Sequence, residues 1–89
     1  MDTRDPLFVR LAHLVSDVTG ADVTSLNASS SARNTSGWDS IANMSIIGLI
    51  EEELGVTIGT ADAMRLGSLG ELTDFVRGRT PLAGDGAER

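Results

Sequence analysis

The sequence has no cysteine and no lysine, only one tryptophan and two phenylalanines, and no long apolar run. Without cysteine, a disulfide framework and a thiolate metal site are both excluded. No apolar stretch is long enough to cross a bilayer, and no basic segment followed by an apolar run stands at the start, so we expect neither a membrane span nor a signal peptide. These absences favour a cytoplasmic protein.

The length and the charge exclude further classes of function. A chain of 89 residues fits one domain and has little room for a deep, preformed active-site cleft, so we expect no catalytic activity. The net charge of -6 and the sequence pI of about 4.4 make nucleic acid and anionic lipid poor partners, and basic protein surfaces better ones. His13 is the single histidine, and we expect it to be solvated and to bind no metal.

Helical spacing of apolar residues predicts a first helix from Pro6, which suits a first helical turn, to Gly20. Residues 21–38 then form a long connection rich in serine, asparagine and threonine. Connections of this length are typically functional or mobile. We expect Trp38 to anchor this connection against the helices.

A second helix is predicted from Ser40 to Leu54, with Asp39 as its N-cap and Gly55 closing it. Its apolar residues recur at steps of three and four and predict one apolar stripe, in which Ile46, Ile47 and Ile50 are expected to point toward the bundle. The stripe comprises Ile41, Met44, Ile47, Ile50 and Leu54, and it is widened by Ile46 and Leu49.

Two further helices complete the pattern. Thr60 is expected to cap a short helix ending at Leu66, and Ser68 to cap a fourth, with Leu69, Leu72, Phe75 and Val76 facing inward. The prediction is an all-α domain, a small four-helix bundle with three longer helices and one short one. We expect it to span residues 6–78, between a flexible N-terminus at residues 1–5 and a flexible tail at residues 79–89.

Ser40 is the residue best placed for chemistry on a hydroxyl. It follows the long loop and opens a helix whose first N–H groups lack internal partners and whose dipole is positive at that end. A phosphate ester at Ser40 would therefore meet favourable donors. A serine at a helix start is, however, more often a cap or a solvated hydroxyl.

The surroundings of Ser40 resemble a known signature. Gly37-Trp38-Asp39-Ser40-Ile41, followed by the aliphatic stretch and glutamates of 46–58, is similar to the pattern of acyl carrier proteins, and the similarity extends from about Pro6 to Gly78. The resemblance implies a non-catalytic four-helix bundle with a 4'-phosphopantetheine arm on Ser40. A phosphopantetheinyl transferase would install the arm from coenzyme A, and Asp39 would support the site by capping the helix.

The resemblance also implies partners. The arm would deliver acyl thioesters to acyl-loading enzymes and to enzymes of the ketosynthase or acyltransferase type, and the second helix would be the main recognition face of a monomeric carrier. We expect partner contacts at Ile41, Met44, Ser45, Glu51, Glu52, Met64 and Arg65. Two alternatives stay open, because the glutamates can also form a solvated face and Met44 can equally fill the core.

The second helix departs from the fatty-acid type of carrier. Ala42 and Ser45 stand where that type often has acids, and Gly48 where it often has a large apolar residue. We therefore expect service in polyketide or related secondary-metabolite biosynthesis. The alternatives are a peptidyl or aminoacyl carrier, against which the sequence Trp38-Asp39-Ser40 argues, and a helical adaptor whose serine is never modified.

Overall fold

The computed structural model describes residues 5–79, and within that range it contains four α-helices and no strand. The helices are α1 (Pro6–Thr19), α2 (Ser40–Leu54), α3 (Thr60–Arg65) and α4 (Leu69–Arg77), with a single 3-10 turn at Val23–Ser25. The predicted all-α class, with three longer helices and one short one, is confirmed. The expectations for residues 1–4 and 80–89 lie outside the described range.

Specific contacts fix both ends of the first helix. The Asp5 carboxylate accepts a hydrogen bond of 3.0 Å from the N–H of Leu7, and it also pairs with the Arg77 guanidinium at the end of α4. The hydrogen bond from Arg77 lowers the pKa of Asp5. Gly20 ends the helix in a left-handed conformation, as predicted, so that α1 is bounded by specific contacts at each end.

The core lies where α1 packs against α2 and α4. The side chains that form it come from every helix and from the loops, and the most buried are Leu11, Val15, Ile46, Ile50, Leu69, Leu72 and Val76. Of the α2 residues predicted to face inward, Ile46, Ile47 and Ile50 are buried. None of the helices between residues 5 and 79 has the length and apolar character that crossing a bilayer requires.

The apolar stripe of α2 is exposed over its first turn, where contacts to partners are expected. Ile41 is 80% exposed and Met44 is 60% exposed. A step of three residues turns about 60° short of a full circle, so the run 41, 44, 47, 50 rotates around the helix instead of following one face. The buried face is centred on Ala42, Ile46 and Ile50, and Ile41 lies on the opposite side.

Two details of the last helices also differ from the prediction. Thr60 is the first residue of α3, not its cap, and the cap position is held by Gly59 without a side-chain hydrogen bond. Ser68 caps α4 as predicted, with its Oγ accepting from the N–H of Glu71 at 3.2 Å. Phe75 is only half-buried, and Thr73 takes a fully buried position by donating its hydroxyl to the carbonyl of Leu69.

The long loop is docked onto α4. The N–H groups of Leu69 and Gly70, which have no partner within α4, donate to the loop carbonyls of Ser30 and Ala28 at 2.8 and 2.9 Å. The approach is close, because a Cβ added at Gly70 would lie 3.0 Å from the Ala28 oxygen. The loop therefore caps the N-terminal end of α4.

The last residues of the loop are held against α1 and α2. Trp38 is buried, and its indole N–H donates to Oδ1 of Asn43 at 3.0 Å, which confirms its expected role as an anchor. Gly37 adopts φ +86°, and a Cβ there would collide with the carbonyl oxygen of Thr19. These contacts fix the approach of the chain to Ser40.

Candidate functional site

Ser40 is the first residue of α2, and its side chain is exposed. Asp39 precedes it in an extended conformation, and Oδ1 of Asp39 accepts a hydrogen bond of 2.8 Å from the N–H of Ala42. Because Asp39 performs the capping, the Ser40 hydroxyl is not needed for it and projects into solvent. The predicted arrangement of cap and serine is present.

An open groove of about 720 Å³ begins at Ser40. The long loop, the first turns of α2, α3 and the start of α4 all contribute to its lining. The lining combines hydroxyl, amide and guanidinium groups with two methionines, and its members include Ser29, Ser31, Arg33, Asn43, Met44, Met64 and Ser68. The groove thus offers both polar and apolar contacts to a chain attached at Ser40.

The surroundings of Ser40 fit a phosphodiester. No acceptor among residues 5–79 bonds the N–H of Ser40 or of Ile41, so two donors at the positive end of α2 stay available. The hydroxyl itself is accessible, and the groove beside it accommodates an extended polar chain. A 4'-phosphopantetheine arm would therefore be held covalently by Ser40, with its phosphate beside these N–H groups.

The exposed side of α2 is apolar near Ser40. Ile41 and Met44 lie there, and Met64 of α3 is 82% exposed. This exposure decides the open question about Met44, which is not a core residue. Ser45 and Gly48 continue the same side of α2, whereas Ala42 is buried and belongs to the opposite face.

The glutamates at the end of α2 are not equivalent. Oε2 of Glu51 accepts a hydrogen bond of 2.8 Å from the backbone N–H of Ile58, and Glu53 forms an ion pair of 3.0 Å with Arg10 of α1. Glu52 is exposed and bonds no group among the described residues. Of the two glutamates predicted to meet a partner, Glu52 alone presents an uncommitted carboxylate.

The groove brings together only part of the predicted set. Asp39, Ser40, Met44 and Met64 line it. The other expected contacts, which are Ile41, Ser45, Glu51, Glu52 and Arg65, lie outside it. The Arg65 guanidinium pairs with Asp62 and faces a separate depression beside α4.

Sequence reasoning missed Arg33 and Asn43. Arg33 lines the groove from the loop, and Asn43 lines it while accepting the Trp38 indole N–H. The available signal was weak for Asn43, which resembles any polar helix residue. For Arg33 a signal existed, because it is the only charged residue between Asp22 and Asp39.

Known proteins match this chain over most of its length. The sequence profile of the family described as "Phosphopantetheine attachment site" matches residues 9–76, a range that contains Ser40 and all of α2. An acyl carrier protein of Treponema pallidum (strain Nichols) is 29% identical over 75 residues, which cover 84% of this chain and 96% of the relative. An acyl carrier protein of Exiguobacterium sp. is 26% identical over 74 residues, which cover 83% of this chain and 94% of the relative. The chain therefore belongs to the phosphopantetheine attachment site family.

Proposed function

We propose that this protein is an acyl carrier protein whose phosphopantetheine arm is attached to Ser40. One observation supports the proposal above all: the exposed Ser40 is the first residue of α2, beside backbone N–H groups that have no partner within residues 5–79, inside the region that matches the family. The two relatives described above are both acyl carrier proteins, which supports the same function here.

Membership of the family shows that the protein is a carrier of a covalently attached arm. The chain is a non-catalytic carrier that a phosphopantetheinyl transferase modifies with covalent 4'-phosphopantetheine. When attached, the arm supplies a thiol that holds an acyl group as a thioester. The residues of the chain do the rest: Asp39 keeps the start of α2 in register, and the exposed Ser40 hydroxyl offers the attachment point.

For the pathway, we propose polyketide or related secondary-metabolite biosynthesis. The support is the exposed side of α2, where Ser45 and Gly48 lie in a stretch without any charged residue between Ser40 and Glu51. Partners of the acyl-loading and ketosynthase or acyltransferase type would then meet an apolar surface instead of a row of acids. Contacts would come from Ile41, Met44, Ser45, Glu52, Met64 and Arg65. Glu51 would have a smaller part, because its carboxylate is engaged by Ile58. We further propose a cytoplasmic monomer.

The attachment is tested with coenzyme A and a broad-specificity phosphopantetheinyl transferase. Wild type is expected to gain the mass of one phosphopantetheine. Ser40→Ala is expected to gain none, and Ser36→Ala, which removes an exposed serine of the loop, should react like wild type. An unchanged mass of the folded wild type with several such transferases would contradict the proposal and favour an unmodified adaptor.

The cargo class is tested on the modified protein. An acyltransferase supplied with malonyl coenzyme A is expected to load the arm, whereas amino-acid adenylation enzymes are expected to leave it empty. Efficient aminoacylation without malonyl transfer would instead identify a peptidyl or aminoacyl carrier. Side-by-side transfer with fatty-acid and polyketide ketosynthases then separates the two acyl pathways.

A further inference from the structure

Arg33 differs from the other arginines of the described chain. Each of the others has a partner within residues 5–79: Arg10 pairs with Glu53, Arg65 with Asp62 and Arg77 with Asp5, and Arg79 lies 4.1 Å from the centre of the Phe75 ring. The Arg33 guanidinium has no hydrogen bond or ion pair in that range. It is also exposed, in a chain whose net charge is -6.

The carboxylates that share the groove with Arg33 are already engaged. Asp39 accepts from the N–H of Ala42 at 2.8 Å, and Glu71 accepts from the N–H of Gly67 at 2.7 Å. Both line the groove, and neither pairs with Arg33. Arg33, the one arginine without a partner among the described residues, therefore lines the same groove as Ser40.

Hydrogen bonds within the loop hold the backbone at Arg33. Its N–H donates to Oγ of Ser31 at 3.3 Å, and Nδ2 of Asn34 donates to the carbonyl of Ser29 at 3.1 Å. The same loop is docked on α4 through the carbonyls of Ala28 and Ser30. Local hydrogen bonds on both sides of Arg33 thus hold this part of the backbone beside the groove.

We propose that Arg33 binds the phosphodiester of the arm attached at Ser40. An arginine presents several N–H donors in a planar fork that matches phosphate oxygens, and a phosphate is the anion that attachment brings into this groove. Arg33 would supply the side-chain cation, and the N–H groups of Ser40 and Ile41 would supply the backbone donors. Its role is to position the arm. The inference rests on the proposed attachment at Ser40.

The test compares the unmodified and the modified protein by NMR. In wild type, attachment is expected to shift the Arg33 Nε–H resonance and to slow its exchange with solvent about two- to fivefold, the range that a partly exposed ion pair gives. The phosphorus-31 resonance of the arm should move in Arg33→Gln, move less in Arg33→Lys, and stay in place in Arg79→Gln, which removes an exposed arginine outside the groove.

The outcomes distinguish a failure of the proposed attachment at Ser40 from a failure of the proposed contact with Arg33. If no arm is attached, the proposed function fails before Arg33 is examined. If the arm is attached but the Arg33 resonance and the phosphorus-31 signal of Arg33→Gln are both unchanged, the assignment to Arg33 is wrong. The assignment would also be wrong if Arg33→Gln were modified more slowly than wild type while its phosphorus-31 signal stayed unchanged. Arg33 would then act on coenzyme A or the transferase.

Discussion

The two ends of α2 use their side chains differently. At the first turns, Ser40, Ile41 and Met44 are exposed and contribute nothing to the core. In the last two turns, Ile50 is fully buried and Glu51 is bonded to the backbone of the next segment. The exposed side of the first turns is available for attachment and partners, whereas the last two turns, together with the buried Ala42 of the first turn, hold the bundle together. The exposed residues near Ser40 can therefore vary without loss of the fold, provided that the buried residues of α2 are kept.

The largest expected effect separates the buried and exposed isoleucines of α2. Ile50→Ala should lower the free energy of unfolding by about 2–5 kcal/mol, because it leaves a cavity in the core. Ile41→Ala should change it by less than about 0.5 kcal/mol, because Ile41 is exposed. Urea unfolding followed by circular dichroism measures both. Equal losses in the two variants would contradict the contrast between the ends of α2.

The next effect concerns the glycines on either side of Ser40. Gly37→Ala should destabilise the protein by about 1–3 kcal/mol, because φ is +86° and the Thr19 carbonyl occupies the space. Gly48→Ala is the matched control, since its Cβ would meet open space on a helix, and it should stabilise the protein by about 0.5–1 kcal/mol. Thermal unfolding of both variants checks the signs, and a Gly37→Ala protein as stable as wild type would show that the loop approaches α2 differently.

Removing the cap of α2 is expected to cost about 1 kcal/mol. Asp39→Ala loses the 2.8 Å hydrogen bond to the N–H of Ala42, whereas Asp39→Asn keeps an acceptor and should lose only a few tenths. Urea unfolding of the unmodified proteins gives the comparison free of any arm. If Asp39→Ala and Asp39→Asn were equally destabilised, the charge of Asp39 and not its hydrogen bond would be the important property.

The smallest effects rank the three glutamates. Glu51→Ala should cost about 0.5–1 kcal/mol through the lost bond to the Ile58 N–H. Glu53→Ala should cost at most about 0.5 kcal/mol through the exposed pair with Arg10, and Glu52→Ala nothing measurable. Stability should therefore depend on Glu51 and Glu53, whereas partner affinity should depend mainly on Glu52. A Glu52→Ala variant that is the least stable of the three would reverse this ranking.

The sequence predicted the helices better than their faces. Pro6, Gly20, Asp39 and Gly55 are local signals that act within a turn or two, and the helix bounds follow from them. The orientation of α2 depends on which neighbours cover it, so the spacing alone left open whether Met44 lies in the core or at the surface.

The site was predictable in part for the same reason. Ser40 at the start of a capped helix is a local feature, and the sequence places it correctly. The groove depends on contacts between distant segments, because the loop carbonyls of Ala28 and Ser30 dock on α4 and bring Arg33 toward α2. No periodicity in the sequence encodes that docking, so Arg33 was not recognised before the structure.

The most direct test of the account is to map the modified residue in wild-type protein treated with coenzyme A and a phosphopantetheinyl transferase. Proteolysis followed by fragmentation mass spectrometry should locate a single arm on Ser40, with the other serines of the chain unmodified. An arm found on any other residue, such as Ser36 or Ser45, would contradict the assignment of the first turn of α2 as the working end of the molecule.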